Sequence, residues 1–373
     1  MKSFEARHRI LFFTVHAAFF VSHRLNLAVE AKNRGAEVYV IYGIPASREM
    51  TEPALEKLQS AGIKHRELSF SSRSLSLLNL TYACLQLMFE LIKFKPTIIH
   101  SISSMPVLLM LIASLPLTNC LRVFAVSGFG AVKSGWYFSV FRKLVRFLSR
   151  QADIFIFQNI EDKELFSNLS SAAELIPGSG VNQSCLDLTA KRRNVLFAAR
   201  LMHAKGVEQF CKVAEAVREI DSSITFTLAG ASDYDHPDAI SKRQLLTFDG
   251  FESVEYVGFQ TDMNALFSKA SLVFYPSLYA EGLSKTLLEG AMASCVIVTY
   301  DRPGCREAVL GGESGILAPL TADTLDFAEI ILNLLSPDSD ELLTSMMVCA
   351  NKYATDNFSV HAVTARHMEI YDL

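Results

Sequence analysis

Four charged side chains stand where the chain pattern turns from strand to helix. Glu281 and Glu289 lie eight positions apart in YAEGLSKTLLE, directly after the apolar run from Ala270 to Tyr275, which is stopped by Pro276. Gly282 frees the turn and helix formers resume at Leu283, so Glu281 belongs to the loop and Glu289 to the helix. Backbone N–H groups at a helix start favour anionic or hydroxyl-rich ligands. A carboxylate held there accepts hydrogen bonds from hydroxyl groups, and phosphate oxygens have none to donate. In FAARLMHAKGV, Arg200 stands at a strand end and Lys205 at the start of the next helix. A guanidinium fork and a compact ammonium together suit a diphosphate whose negative charge grows as it leaves. Singly, each Glu is an ordinary partner of the helix dipole and each cation an ordinary surface charge. Jointly, they describe a site for a polyhydroxy ligand carrying phosphates.

Strand-like apolar runs alternating with helical stretches must position these groups. The runs are Ile10–Val15, Glu37–Tyr42, His65–Phe70, Thr97–His100, Arg122–Val126 and Asp153–Phe157 in the first half. In the second half they are Asn194–Ala198, Ile224–Ala229, Ser253–Val257, Ser271–Tyr275 and Val296–Thr299. This rhythm predicts an α/β protein of two doubly wound, Rossmann-like domains with parallel sheets. PGSGVN, from Pro177 to Asn182, breaks the pattern and marks the boundary: residues 1–182, residues 183–356, and a helix over 357–373 that packs back on the first domain. Ligands of such sheets sit beyond the strands' carboxyl ends, so a cleft is expected where the two domains meet. Ser22, His23 and Arg24 are read as the capped opening of the first helix, facing that cleft. His100 at the end of its run is either a ligand contact or a buried hydrogen-bonded histidine. Ser127 and Gly128 begin a short glycine-rich fragment whose backbone could approach a ligand, or simply turn. Asp233 and Asp235 have the spacing of a metal-binding acid pair, but a polar loop holds them and no metal is assigned.

A chain of 373 residues, half of them hydrophobic, fits two domains. Its seven cysteines lack CxxC spacing, which argues for a reducing compartment and against structural zinc. No apolar run reaches the roughly 18 residues needed to span a bilayer, and no cleavage-site pattern follows the first run, so neither a membrane span nor a signal peptide is expected. The net charge of -4 hides an asymmetry: residues 1–185 hold 20 Lys and Arg against 13 Asp and Glu, and the remainder holds 15 against 26. A basic first half suggests an anionic partner. Within it, residues 133–150 interleave aromatics with Arg142, Lys143, Arg146 and Arg150, as a helix lying on an anionic membrane would, or a core helix with one solvated basic edge. The apolar stretch Leu75–Lys93 is a second candidate with the same two readings. The modest basic excess disfavours nucleic acid, and the lack of GxGxxG after the first strand disfavours a dehydrogenase.

PGSGVN, FAARLMHAKGV, FTLAG, YPSLYAEGLSKTLLEGAMAS and TYDRPGCRE, in that order, resemble the family 4 retaining glycosyltransferases of the GT-B fold. FFVSHRLNLAVEAKNRGAEVYV and the last helix extend the likeness over nearly the whole chain, most specifically in the second half. Bacterial enzymes building lipid-linked surface glycans such as O-antigen and capsule look most similar. The resemblance implies a retaining transfer from a nucleotide diphosphate sugar, a UDP-sugar, to a hydroxyl of a lipid-linked or surface-polysaccharide acceptor. It implies a donor-binding second domain and an acceptor-binding first domain, and a peripheral enzyme at the cytoplasmic face of the membrane. Arg200 and Lys205 would hold the diphosphate, Glu281 with the backbone of Gly282 and Leu283 the sugar, and Glu289 the ribose. Gly230 would let the nucleotide approach its strand end. His100 would be the first-half catalytic contact, with Ser22, His23, Arg24, Ser127 and Gly128 on the acceptor side. No cofactor is expected, because the two cations take the task a metal performs elsewhere.

Departures from the family pattern are Ile102 where many relatives carry a second histidine, Ser284 in place of a proline, and Gly290 in place of an alanine. Two other readings stay open: a nucleotide-sugar epimerase on the same architecture, and a catalytically silent subunit that binds a partner enzyme.

Overall fold

The computed structural model describes residues 8–44, 51–71, 76–127, 136–166, 168, 171–183, 188, 192–232, 238–260, 262–279 and 281–373. Gly128, Asp233 and Asp235 lie outside them. Among the described residues the chain divides into two compact units, one of 1–180 with 360–373 and the other of 181–359.

In unit 1 the strands are β1 (Arg9–Thr14), β2 (Glu37–Tyr42), β3 (Lys64–Glu67), β4 (Ile98–Ile102), β5 (Leu121–Val126), β6 (Ile154–Phe157) and β7 (Ala172–Leu175). The intervening helices are α1 (Ala17–Asn33), α2 (Thr51–Ser60), α3 (Leu77–Phe94), α4 (Ser104–Ala113), α5 (Trp136–Leu148) and α6 (Ile160–Leu165). The sheet runs β3-β2-β1-β4-β5-β6-β7 and every pairing is parallel. Alternate residues of β1 feed opposite cores. Leu11 and Phe13 join the cluster under α3, α4 and α5; Ile10 and Phe12 join the one under α1 and α2.

Unit 2 holds β8 (Arg192–Ala198), α7 (Val207–Ile220), β9 (Thr225–Ala229), α8 (Lys242–Leu245), β10 (Glu255–Gly258), α9 (Asn264–Phe267) and β11 (Ala270–Tyr275). It continues with α10 (Lys285–Met292), β12 (Val296–Tyr300), β13 (Gly315–Ala318), α11 (Thr324–Leu334) and α12 (Asp340–Phe358). Its sheet, β10-β9-β8-β11-β12-β13, is also parallel throughout. In both sheets the strand order reverses beside the first strand, between β1 and β4 and between β8 and β11. Such a reversal opens a crevice at the carboxyl ends of the two strands.

The last helix, α13 (Val360–Tyr371), belongs to unit 1, where Val363, Met368 and Tyr371 join the core under α1. Its return depends on Gly180, whose φ is +78° and where a Cβ would lie 2.8 Å from the Cα of Val360.

Several expectations are corrected. α1 starts at Ala17, not at Ser22: His16 is extended and its Nδ1 accepts from the Phe19 N–H at 3.0 Å, capping the helix one and a half turns earlier. Ser22, His23 and Arg24 therefore lie inside α1. The third strand is shorter and earlier than His65–Phe70, and the edge strands β7 and β13 were not foreseen. Ile102 is buried in the unit 1 core, so the polar group expected there is replaced by a packing residue.

His100 is fully buried in the middle of β4. Its Nδ1 is hydrogen-bonded to the Tyr371 hydroxyl and its ring stacks on His367 of α13 at 5.6 Å. Arg24 of α1 faces the same cluster, itself 3% exposed, with its Nη1 donating to the His23 carbonyl at 3.0 Å. Of the two readings of His100, the buried hydrogen-bonded histidine is the one observed.

Candidate active site

Two loops, one leaving β8 and one leaving β11, meet at the strand-order reversal of unit 2. The first makes a 3-10 turn over His203–Lys205 before α7 begins at Val207, so Lys205 precedes its helix instead of opening it. Gly206 has φ +83° and a Cβ there would lie 2.2 Å from the Pro276 carbonyl oxygen, so only glycine lets this turn lie against the second loop. The Leu278 N–H donates to the Ala204 carbonyl at 2.7 Å and pins the loops together. Asp238, which sequence reasoning missed, supports the turn from below by accepting from the Ala204 N–H at 2.8 Å.

Lys205 and Glu281 are thereby brought together. They form an ion pair through Glu281 Oε1, with side-chain exposures of 8% and 13%. Tyr275, the last residue of β11, completes the group: its hydroxyl donates to Glu281 Oε1 at 2.9 Å and accepts from Lys205 Nζ at 3.0 Å. Burial, and next the Glu281 charge, push the Tyr275 phenol well above its usual pKa, so it stays a neutral donor. The Lys205 ammonium also lies 4.6 Å from the Tyr279 ring centroid, a cation–π contact. Arg200 is exposed and hydrogen-bonds the Tyr279 hydroxyl. Tyr279 is raised by its burial, and the Arg200 charge opposes that rise. One aromatic ring thus touches both predicted cations. Neither tyrosine was singled out from sequence, although Tyr279 stands inside the YAEGL motif.

Glu281 is fixed from its other side. Gly304 has φ +81° and a Cβ there would meet the Glu281 Cβ at 2.5 Å, while the Ser284 N–H donates to the Gly304 carbonyl at 3.0 Å. Cys305, fully buried next to it, has its thiol pushed up to about 12, by burial first and the Glu281 charge second, and is chemically inert. Gly282 is buried and Leu283 half-buried at the start of the turn into α10. Glu289 lies on the second turn of α10, half-exposed and 3.4 Å from Lys285. Gly290 lets that helix sit close to β11, since a Cβ there would lie 2.8 Å from Val273 Cγ2. Gly230 ends β9 with φ +151°, and a Cβ there would lie 1.9 Å from the Ala199 carbonyl oxygen, so its own loop demands glycine before any ligand does.

Arg200, Lys205, Gly230, Glu281, Gly282, Leu283 and Glu289 all belong to unit 2. The unit 1 residues are differently placed. Ser22 is exposed, His23 is half-buried with Nδ1 2.9 Å from Ser179 Oγ, and Arg24 is enclosed. Ser127 follows β5 with its hydroxyl 3.2 Å from that of Ser103, which follows β4. Among the described residues there is no group of three or more metal-ligating side chains, and no helix is long and apolar enough to cross a membrane.

Comparison with known proteins decides the family. Residues 9–159 match the family described as "Glycosyl transferase 4-like", and residues 192–337 match "Glycosyl transferases group 1". The chain belongs to the family 4 glycosyltransferases of the GT-B fold. This glycosyltransferase is 26% identical over 390 residues to the N,N'-diacetylbacillosaminyl-diphospho-undecaprenol alpha-1,3-N-acetylgalactosaminyltransferase of Campylobacter jejuni, covering 96% of this chain and 97% of that protein. In fold it is similar to Anabaena HepE in complex with UDP, with TM-score 0.77, 16% identity, and 98% and 99% of the two chains covered. A glycosyltransferase from Rickettsia africae matches with TM-score 0.73 and 16% identity, covering 98% of each chain.

Proposed function

We propose that this glycosyltransferase moves a sugar from a UDP-sugar to a hydroxyl of a lipid-linked glycan, with retention of anomeric configuration. The observation that carries the reading is the buried Lys205–Glu281–Tyr275 group at the β8/β11 strand-order reversal, with Arg200 on the same Tyr279 ring. Buried charges of opposite sign at a crevice present both partners a sugar diphosphate needs: cations for phosphate and a carboxylate for hydroxyls. Arg200 and Lys205 hold the diphosphate, Glu281 with the backbone of Gly282 and Leu283 holds the sugar, and Glu289 holds the ribose. The acceptor hydroxyl forms the new bond at the anomeric carbon as the carbon–phosphate oxygen bond breaks. The electron pair goes to the leaving diphosphate, which takes the acceptor's proton. The two cations neutralise the departing charge, so no metal is required.

UDP as the nucleotude carrier is supported by the UDP bound to HepE, and a polyprenyl diphosphate-linked acceptor by the substrate named for the Campylobacter relative. Unit 1, including the Ser103 and Ser127 hydroxyls beyond β4 and β5, supplies the acceptor contacts. The enzyme works at the cytoplasmic face of the membrane, with residues 133–150 as a peripheral contact to anionic lipid; Arg142, Lys143, Arg146 and Arg150 of that stretch are exposed.

The test is product analysis of the purified enzyme with a panel of UDP- and GDP-sugars and a polyprenyl diphosphate-linked glycan acceptor. One UDP-sugar is expected to give a lengthened lipid-linked product with the donor's anomeric configuration, undiminished by EDTA. Interconversion of nucleotide sugars without acceptor would instead make the protein an epimerase.

A further inference from the structure

The outer face of α3 departs from what a solvent-facing helix carries. Leu78, Tyr82, Leu85, Phe89 and Ile92 recur at spacings of four and three, which align them on one stripe, and they are 82%, 55%, 58%, 60% and 66% exposed. The opposite face is already committed, with Ala83, Leu87, Leu91 and Phe94 buried in the unit 1 core. The helix is thus apolar on both sides. Its one acidic residue, Glu90, points inward, accepting from the Tyr39 hydroxyl at 2.7 Å and ion-paired with Arg66. The exposed face therefore carries no acid, and its charges are Lys93 at the last turn and Lys95 just beyond.

The neighbouring elements continue this chemistry. α4, which packs on α3, has no charged residue, and Ile112 and Leu115 at its end are partly exposed. α5, which packs on α4, exposes Phe147 at 72% among Arg142, Lys143, Arg146 and Arg150. A contiguous apolar stripe on a water-soluble surface costs hydration free energy unless something covers it, and soluble chains rarely keep such patches without use. Among the described residues, the exposed charges of this helix and its end are the cations Lys93 and Lys95, which specify the sign of the cover.

We infer that α3 is the element this glycosyltransferase buries in an anionic lipid surface, lying in the headgroup region with Leu78, Tyr82, Leu85, Phe89 and Ile92 against the acyl chains and the α5 cations on lipid phosphates. Apolar insertion and basic margin together give the two signals that stable peripheral anchoring needs. The inference extends the contact proposed for residues 133–150 and rests on the lipid-linked acceptor reading for its purpose: the enzyme meets its acceptor where the acceptor's lipid resides.

The experiment is sedimentation of the full chain with phosphatidylglycerol-containing vesicles, paired with light scattering and with transfer to a water-soluble acceptor analogue. The wild type is expected to bind. The Leu85→Glu/Phe89→Glu variant is expected to lose about a hundredfold or more in vesicle partition, because two large apolar side chains leave the acyl region. Its mass in solution and its transfer to the soluble analogue are expected to stay unchanged. In a Trp136→Phe background, Phe89→Trp keeps the stripe apolar, and bromine-labelled acyl chains are expected to quench its fluorescence. Unchanged partition of the Glu variant, or no quenching at Trp-substituted Phe89, overturns the inference. So does a wild-type dimer that the Glu variant splits, since the stripe then faces a second copy. Vesicle binding without any transfer leaves the surface standing and overturns the functional reading instead.

Discussion

Replacing Lys205 by alanine is expected to lower turnover roughly a thousandfold, the loss seen when a charge-stabilising donor is removed from a transfer site. Glu281→Gln is expected to lose at least about a hundredfold, since an amide accepts sugar hydroxyls less strongly than a carboxylate. Each single change also leaves one member of a buried ion pair without its partner, at a stability cost of about 3 kcal/mol or more. The double variant Lys205→Met/Glu281→Gln separates the two effects. Removing both charges from a pair whose side chains are 8% and 13% exposed is expected to restore most of the stability while turnover stays lost. Tyr275→Phe removes the hydroxyl bridging the pair at 2.9 and 3.0 Å and is expected to sit between, with about tenfold lower turnover and about 1 kcal/mol of lost stability. Turnover in these variants is read by product formation and stability by urea unfolding. A fully active Lys205→Ala enzyme would remove Lys205 from the chemistry.

Acid is expected to destabilise unit 1 steeply through His100 and His367. Burial, then Arg24, hold His367 down to about 3; burial, then His367 and Arg24, hold His100 well below its usual range. Both rings are neutral in the folded protein, and in the unfolded chain they take up protons near pH 6.5. The sign follows: below about pH 6.5 the unfolded state binds protons that the folded state refuses, so stability falls as pH falls. Each histidine contributes a slope of about 1.4 kcal/mol per pH unit, which persists for His367 down to about 3. Above about pH 7 neither contributes. His367→Gln is expected to reduce the slope of urea-unfolding free energy between about pH 6 and pH 4.5 by about 1.4 kcal/mol per unit. Equal slopes in the two proteins would mean that the ring is already charged when folded.

These two sites differ in how far the sequence discloses them. Arg200, Lys205, Glu281 and Glu289 are legible because each stands in a strand-to-helix connection, or on the helix that follows it, inside a locally recognisable motif. Their pairing is not, since Lys205 and Glu281 are 76 residues apart and meet only because β8 lies beside β11 in the sheet. Tyr275 reads from sequence as one more aromatic at the end of a buried strand; only the loop from β8 gives its hydroxyl a role. His100 and Tyr371, 271 positions apart, meet because α13 returns to unit 1.

Among the elements, β2 is legible to the residue because EVYVIY is a dense β-forming run ended by Gly43. β7, with sequence AAEL, has no such signal: it is a short edge strand formed by pairing with β6. The start of α1 is not legible in the sequence because Ser22 is a stronger cap by type than His16, whereas the break from β1 occurs at His16. The exposed stripe of α3 was legible as apolar spacing, yet which of its two apolar faces is core emerges only from the packing of α4.

The most direct measurement is a calorimetric titration with UDP of the wild type and of Lys205→Met/Glu281→Gln, the variant expected to keep its fold. The account predicts binding by the wild type and a dissociation constant raised at least about thirtyfold in the variant, about 2 kcal/mol for a lost charged phosphate contact. Equal affinity in both proteins, or no binding of UDP by the wild type, would contradict it.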